Sequence, residues 1–352
     1  MAPRTKVSGQ RWKLPTRPLP IVFVGAGAIV RECHVPAYQR AGFEVRGVYD
    51  TRPANARAVA DAVGAGRVFA SLDEAFAERG VVFDVAVPPK ELPAIVRSAP
   101  RNAALLVQKP LGSDLEMARA ITRRSRERRL RLAVHFQLRF SPAVLALRRM
   151  LARKELGVVR EVSVRVVTDT PWERWSFLRR APRLEILFHS IHYLDLVRSL
   201  WGEPDEVSAS ARPDPASKGL ADTRAHIELW YARGLRVTVH TNHAHDFGGS
   251  KRESCVQVEG SRGAARITLG VNLDYARPQP DELEVARGDA WRRVKLEGSW
   301  FPDAFAGPMC NLQRFIAGED RVLETRAGDA LRTMELVERC YRSSASGRRI
   351  VP

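Results

Sequence analysis

The stretch PIVFVGAGAIVRECHVPAYQRAGFEVRGVYD, residues 20–50, decides the fold. PIVFVGA (20–26) is an unbroken apolar run ending in glycine, the pattern of a strand buried on both faces. Residues 28–41 read as a helix, and FEVRGVYD (43–50) as a second strand. Strand, glycine turn and helix in this order are the setting a dinucleotide-binding fingerprint requires. Gly25 permits the tight turn, and Gly27 lets a pyrophosphate approach the backbone of Ala26, Ala28 and Ile29 at the helix N-terminus. The third fingerprint position is Val30 instead of Gly or Ala, which predicts looser packing of helix on strand. Asp50 ends the second strand, where a carboxylate can accept hydrogen bonds from an adenosine ribose. Thr51 and Arg52 follow, and Arg52 could reach a 2′-phosphate. NAD is expected over NADP, because the carboxylate sits where the ribose hydroxyls must go.

The pattern continues outward. ARAVADAV (56–63) reads as a helix and VFDVAVPP (82–89), ALLVQKP (104–110) and LRLAVHF (130–136) as buried strands. MARAITRRSRER (117–128) is an amphipathic helix. Alternation of this kind predicts a parallel α/β sheet, a Rossmann domain over residues 18–137. Residues 1–17 read as a flexible basic arm. Val87, Pro88, Pro89, Gln108 and Lys109 end strands and so face a cofactor crevice. Lys109, taken as the end of the fifth strand, can hydrogen-bond a substrate hydroxyl and steady developing alkoxide charge.

Beyond residue 140 the texture changes, and residues 138–352 read as a second domain. A helix at 142–154 precedes VVREVSVRVVTD (158–169), which alternates like a half-exposed strand. After a helix at about 185–200 come EVSASAR (206–212), the 225–245 and 254–270 stretches, DELEVARG (281–288) and WRRVKLEG (291–298). Turns at ARG, GSRG and RGDA make them an antiparallel meander with one wet face. Helices near 303–317 and 327–343 close the chain. Apolar alternation in HIELWYA and LRVTVHT suggests that a second copy covers part of the sheet, giving a homodimer or homotetramer. His189 and His192 are three apart on one helix face, and a neutral imidazole there can take a proton from an alcohol.

Composition narrows the function. The length of 352 residues with 45% hydrophobic content suits two domains with separate cores. A net charge of +17 invites a nucleic-acid partner, but the basic residues are mostly arginines spread along the chain. The densest run, residues 119–131, reads as the solvated face of one helix, and no nucleic-acid motif is present, so no such partner is expected. No apolar run reaches the ~18 residues of a spanning helix, and no leader h-region is visible, so a cytoplasmic protein without a membrane partner is expected. Cys33, Cys255, Cys310 and Cys340 follow no disulfide or metal spacing and fit a reducing compartment. His240, His243 and His245 read as separate polar histidines, so no metal is expected. The Trp172, Glu173, Trp175 loop reads equally as a substrate lid or as a packed loop.

Taken together, these motifs resemble the glucose–fructose oxidoreductase/inositol dehydrogenase/rhizopine-catabolism family, Gfo/Idh/MocA, from about residue 20 to near the end of the chain. Also similar are Val87-Pro88-Pro89, Arg139 and Pro142 in FQLRFSP, Leu156-Gly157, Leu200-Trp201-Gly202-Glu203-Pro204, and the closing Tyr341-Arg342-Ser343 with Ser346-Gly347-Arg348. The resemblance implies a Rossmann domain followed by an α/β domain with a large open sheet that often forms dimers or tetramers. It implies hydride transfer between a nicotinamide and a hydroxyl carbon of a sugar, cyclitol or related polyhydroxy compound. Lys109 and His192 carry over as catalytic residues. Arg139, Trp172 and His189 complete the set as candidate substrate contacts. Two positions depart from the family: its Glu-Lys-Pro is Gln108-Lys109-Pro110 here, and the Asp expected four residues before His192 is Phe188. Glu185, one turn earlier, is the candidate to hold His192. An NAD-dependent glycosidase or lyase using transient oxidation, and a non-catalytic cofactor-binding regulator, are the alternative outcomes.

Overall fold

The computed structural model describes residues 9–275 and 279–351. It divides into two compact units, one of Trp12–Phe140 with Phe301–Met334, the other of Met1–Arg11, Ser141–Trp300 and Glu335–Pro352.

The first unit is built on five parallel strands: β1 (Ile21–Val24), β2 (Val45–Tyr49), β3 (Val82–Val85), β4 (Ala104–Val107) and β5 (Arg131–Val134). Their order is β2-β1-β3-β4-β5, the two-way winding of a Rossmann sheet. Helices cover it: α1 (Val35–Ala41), α2 (Pro53–Val63), α3 (Leu72–Ala77), α4 (Leu92–Ser98) and α5 (Leu115–Glu127). All of β1 is fully buried, as its unbroken apolar sequence requires. Lys109 thus follows the fourth strand, not the fifth.

The helix after the glycine turn is wound as a π-helix over Val30–His34 before it continues as α1. Pro36 supplies a reason: it has no N–H to give to the carbonyl one turn back, and its ring crowds that carbonyl. Val30 packs fully buried in the core, so the bulkier third fingerprint position is absorbed by the helix. Sequence reading passes over α3 and α4, which are six and seven residues long. Ser71 caps α3 by accepting from Glu74 N at 3.1 Å.

In the second unit, α6 (Pro142–Ala152) leads into β6 (Val159–Val167), and α7 (Ile191–Trp201) precedes seven more strands. These are β7 (Glu206–Arg212), β8 (Arg224–Trp230), β9 (Arg236–Asn242), β10 (Glu253–Gly260), β11 (Ala264–Thr268), β12 (Glu282–Arg287) and β13 (Ala290–Val294). The sheet order is β13-β12-β11-β10-β6-β9-β8-β7, with β6 and β9 parallel and every other pair antiparallel. Register aligns Ile227, Val239, Val164, Val256, Ile267 and Leu283 in one buried row across six strands. The opposite face is not apolar. It carries Arg165 paired with Glu253, Arg236 with Glu161 at 3.4 Å and Arg293 with Glu282 at 2.9 Å. The alternation in HIELWYA and LRVTVHT therefore serves one core, and Trp230 is the large apolar side chain it leaves on the outer face.

Two helices follow, α8 (Ala306–Ile316) and α9 (Ala327–Ser346). A single cut after residue 137 does not describe the division, because Phe305, Met309 and Leu312 bury into the same core as β1 and α1. Residues 1–8 of the expected arm lie outside the described residues, and residues 9–17 are held in place. Gln10 is buried, giving its amide N–H to Lys295 O at 2.9 Å and accepting from Glu297 N at 3.0 Å. Thr16 N bonds Glu319 at 2.9 Å. The four cysteines are buried and free. No helix among the described residues is long and apolar enough to cross a membrane.

Candidate active site

The sheet order sets the carboxyl ends of β2, β1, β3 and β4 side by side, and with them Asp50, Gly25, Val87 and Gln108. Gly25 adopts φ +101°, and a Cβ there would lie 2.3 Å from Ala86 O, so the protein itself demands glycine. Gly27 differs: a Cβ would meet no protein atom within 4 Å. Nothing in the fold needs a glycine at that spot, and the open space fits a ligand lying against the backbone. Ala28 and Ile29 open the helix, where the N–H groups have no carbonyl one turn earlier to bond. This chemistry suits a pyrophosphate.

Asp50 has a second task that sequence does not reveal. Its Oδ2 accepts from Ala26 N at 2.7 Å and its Oδ1 from Arg52 N at 2.8 Å. The carboxylate braces the glycine turn, and each oxygen keeps a lone pair for a ribose hydroxyl. Thr51 and Arg52 are exposed beside it. Val87 and Pro88 are half-buried and Pro89 is buried at the end of the third strand.

Lys109 is half-buried, joined to Pro110 by a cis peptide. Its desolvating surroundings push its ammonium down to about 8. Beneath it lies a buried polar cluster: Asp84 accepts from Tyr38 O–H and from His34 Nδ1 at 2.7 Å, and the His34 and His135 rings lie 4.6 Å apart. Sequence reading passed over this cluster. The available signal was Asp84 itself, a charge inside the apolar run VFDVAVPP, which burial obliges to find partners. His34, Asp84 and His135 each bring a ligand-type atom within 4.8 Å of the others. Both nitrogens of His34 are already engaged, by Asp84 and by Gln108, so the group forms a polar network.

Arg139, expected as a substrate contact, has partners within the protein. It is buried, with Asp329 at 2.7 Å and Glu324 O at 3.1 Å, and anchors the Rossmann unit internally.

In the sheet unit, His192 is buried in the first turn of α7, its ring edge-on to Trp300 at 5.2 Å. His189 sits one turn earlier in a π-helical segment, Ile186–Ser190, and contacts different rings: His243 at 4.0 Å and Trp172 at 5.3 Å. Trp172 is buried with Leu178 and Leu184, and Phe188 packs on the same cluster, so this loop is a packed one and not an open lid. Glu185 does not hold His192. It is fully buried, accepts from Ser190 O–H at 2.9 and 3.0 Å, and faces His243 Nε2 at 3.3 Å. His243 Nδ1 lies 2.8 Å from Thr170 Oγ1. His240 stands apart beside His226 on the exposed face. Asp222 accepts from Leu184 N and Glu185 N at 2.8 and 2.9 Å, and burial raises its carboxyl above the ordinary range.

Comparison with known proteins agrees with this geometry. Residues 19–136 match the family model described as oxidoreductase family, NAD-binding Rossmann fold, and residues 144–266 match the GFO/IDH/MocA C-terminal domain. The chain is similar to inositol 2-dehydrogenase of Rhizobium meliloti, 26% identical over 336 residues, covering 93% of this chain and 97% of the relative. It is also similar to D-apiose dehydrogenase of Paraburkholderia graminis, 27% identical over 345 residues, covering 93% and 88%. The fold matches an Agrobacterium radiobacter oxidoreductase solved with NAD+, L-tartaric acid and magnesium, with TM-score 0.79, 21% identity, and 95% and 98% of the two chains covered. The chain belongs to the GFO/IDH/MocA family of oxidoreductases, whose N-terminal part is an NAD-binding Rossmann fold.

Proposed function

We propose that the chain oxidises a secondary hydroxyl of a sugar or cyclitol, with NAD preferred over NADP. The observation that carries this reading is the row of strand ends that places the Gly25–Gly27 turn, Asp50 and a lysine of lowered proton affinity along one sheet edge. NAD, when bound, supplies the hydride acceptor. Ala28 and Ile29 bind its pyrophosphate and Asp50 its ribose. His192 takes the proton of the substrate hydroxyl as a neutral imidazole. Lys109 hydrogen-bonds a substrate oxygen and steadies developing charge on it. The relatives named above support inositol and D-apiose as the first substrates to try.

The test is growth of the NADH absorbance band across a panel of polyols that includes both compounds. Lys109→Met and His192→Phe should each lower turnover on the order of 10²-fold with NAD affinity nearly intact. NAD binding without reduction on any polyol would indicate a regulator. Release of an aglycone from a glycoside with no net NADH would indicate transient oxidation. Tighter binding of NADP than NAD would reverse the cofactor preference.

A further inference from the structure

Hydrogen-bond chemistry leaves the cluster beneath Lys109 one direction to run. A carboxylate only accepts, so the 2.7 Å contact from His34 Nδ1 to Asp84 Oδ2 puts a hydrogen on Nδ1. At the other end, Lys109 N–H donates to Gln108 Oε1 at 3.0 Å, which fixes which amide atom is oxygen. Gln108 Nε2 is then the atom 3.0 Å from His34 Nε2. An amide NH2 only donates, so His34 Nε2 is a bare lone pair. His34 is a neutral imidazole protonated at Nδ1. Every donor points the same way, from Lys109 N–H to Gln108, from Gln108 to His34, and from His34 to Asp84. Bonds aligned head to tail polarise one another.

We propose that Asp84 and His34 are positioning residues for Lys109, holding the Gln108 amide and thereby the backbone from which that lysine projects. This rests on Lys109 being the catalytic lysine of the function proposed above. Residue 108 in turn sets the charge on His34. A carboxylate at 108 would press an acceptor against the Nε2 lone pair. Relief comes when Nε2 binds a proton, leaving an imidazolium between two carboxylates. The glutamine removes that demand. The other groups facing His34 do not supply a proton in its place. Tyr38, on α1, spends its hydroxyl hydrogen on Asp84. His135, after β5, is kept neutral by burial, with the Lys109 ammonium adding to the effect. Phe305, 5.2 Å away between ring centres, is apolar.

The test uses the full chain labelled with 15N-histidine, whose long-range 1H–15N spectrum reports each tautomer. The protein has 8 histidines, and His34 is identified by the signal lost in His34→Asn. The expected signal at neutral pH is that of a neutral, Nδ1-protonated ring. Gln108→Glu should convert it to an imidazolium at neutral pH. Gln108→Leu should speed amide hydrogen exchange at Lys109 by about tenfold or more, since the acceptor is gone. A wild-type His34 protonated at Nε2 or at both nitrogens overturns the proposal, and that spectrum needs no variant in the Gln108 position. A neutral His34 throughout in Gln108→Glu overturns the control by residue 108. Unchanged exchange in Gln108→Leu overturns the positioning of Lys109. None of these readings needs turnover. The expected spectra together with no NAD reduction on any polyol would refute the proposed activity alone.

Discussion

Asp50 Oδ2 accepts the Ala26 N–H at 2.7 Å, tying the end of β2 directly to the glycine turn after β1. The residue that would recognise the ribose is also the brace of the loop that would hold the pyrophosphate. Asp50→Ala removes both. NAD affinity should fall by roughly 10- to 100-fold, as expected for loss of one or two bonds to a charged acceptor. NADP should lose less, because a repelling carboxylate has gone. Titration calorimetry with both cofactors checks this, and a change in NAD affinity below about twofold would contradict it.

The two glycines of the turn should separate stability from binding. Gly25→Ala sets a Cβ 2.3 Å from Ala86 O at a φ of +101°, where the neighbour is backbone and cannot swing away. A loss of about 2–4 kcal/mol of folding stability is expected. Gly27→Ala meets no protein atom within 4 Å, so the fold should stay within about 0.5 kcal/mol of wild type. Its NAD affinity should still drop about tenfold or more, since the methyl takes the space left for the ligand. Denaturant melts paired with calorimetry on both variants give four numbers. Equal stability losses in the two would refute the contrast.

Lys109 makes stability depend on pH in a defined sense. Its ammonium falls from an ordinary 10.5 to about 8 in the folded chain. Between those values the unfolded chain holds a proton that the folded one has released, so stability rises with pH across that window. Above 10.5 the gain is complete; it is lost as pH falls through about 8. Lys109→Met abolishes this dependence. The variant should be more stable than wild type at pH 7, and the gap should close in alkaline solution. Denaturation midpoints that run parallel from about pH 7 to 10.5 would refute it.

Arg139 belongs to the fold. Its buried pairing with Asp329 at 2.7 Å predicts that Arg139→Met costs about 3 kcal/mol, because the carboxylate is left with only the longer Arg332 pair at 3.8 Å among the ion pairs described. Protein that remains folded should keep its substrate KM. A raised KM with an unchanged melting temperature would return Arg139 to the substrate site.

Assembly, if it uses the outer face of the eight-stranded sheet, must be polar. That face presents Arg236–Glu161 and Arg293–Glu282 pairs, which salt screens. A dimer or tetramer is expected by light scattering in dilute buffer, and about 1 M salt should shift it toward a ~39 kDa species. A chain at monomer mass in both conditions would refute association.

The sequence alone determined the elements whose physics is local. The apolar run Ile21–Val24, the glycines after it and Asp50 at the next strand end specify a nucleotide-binding βαβ unit, because burial on both faces and turn geometry leave a signature within a few residues. The alternation in β8 and β9 likewise specifies a one-faced sheet. Only the tertiary structure decided what the polar residues do. Asp84 is 50 positions and Gln108 is 74 positions from His34, and no periodicity links them. They meet because β3 and β4 lie side by side beneath α1. The same holds for Arg139 with Asp329 and for Glu185 with His243, polar side chains that meet partners far away in the chain. Burial makes an unpaired charge costly, and the partner that satisfies it is chosen by the fold, not by its neighbours in the chain.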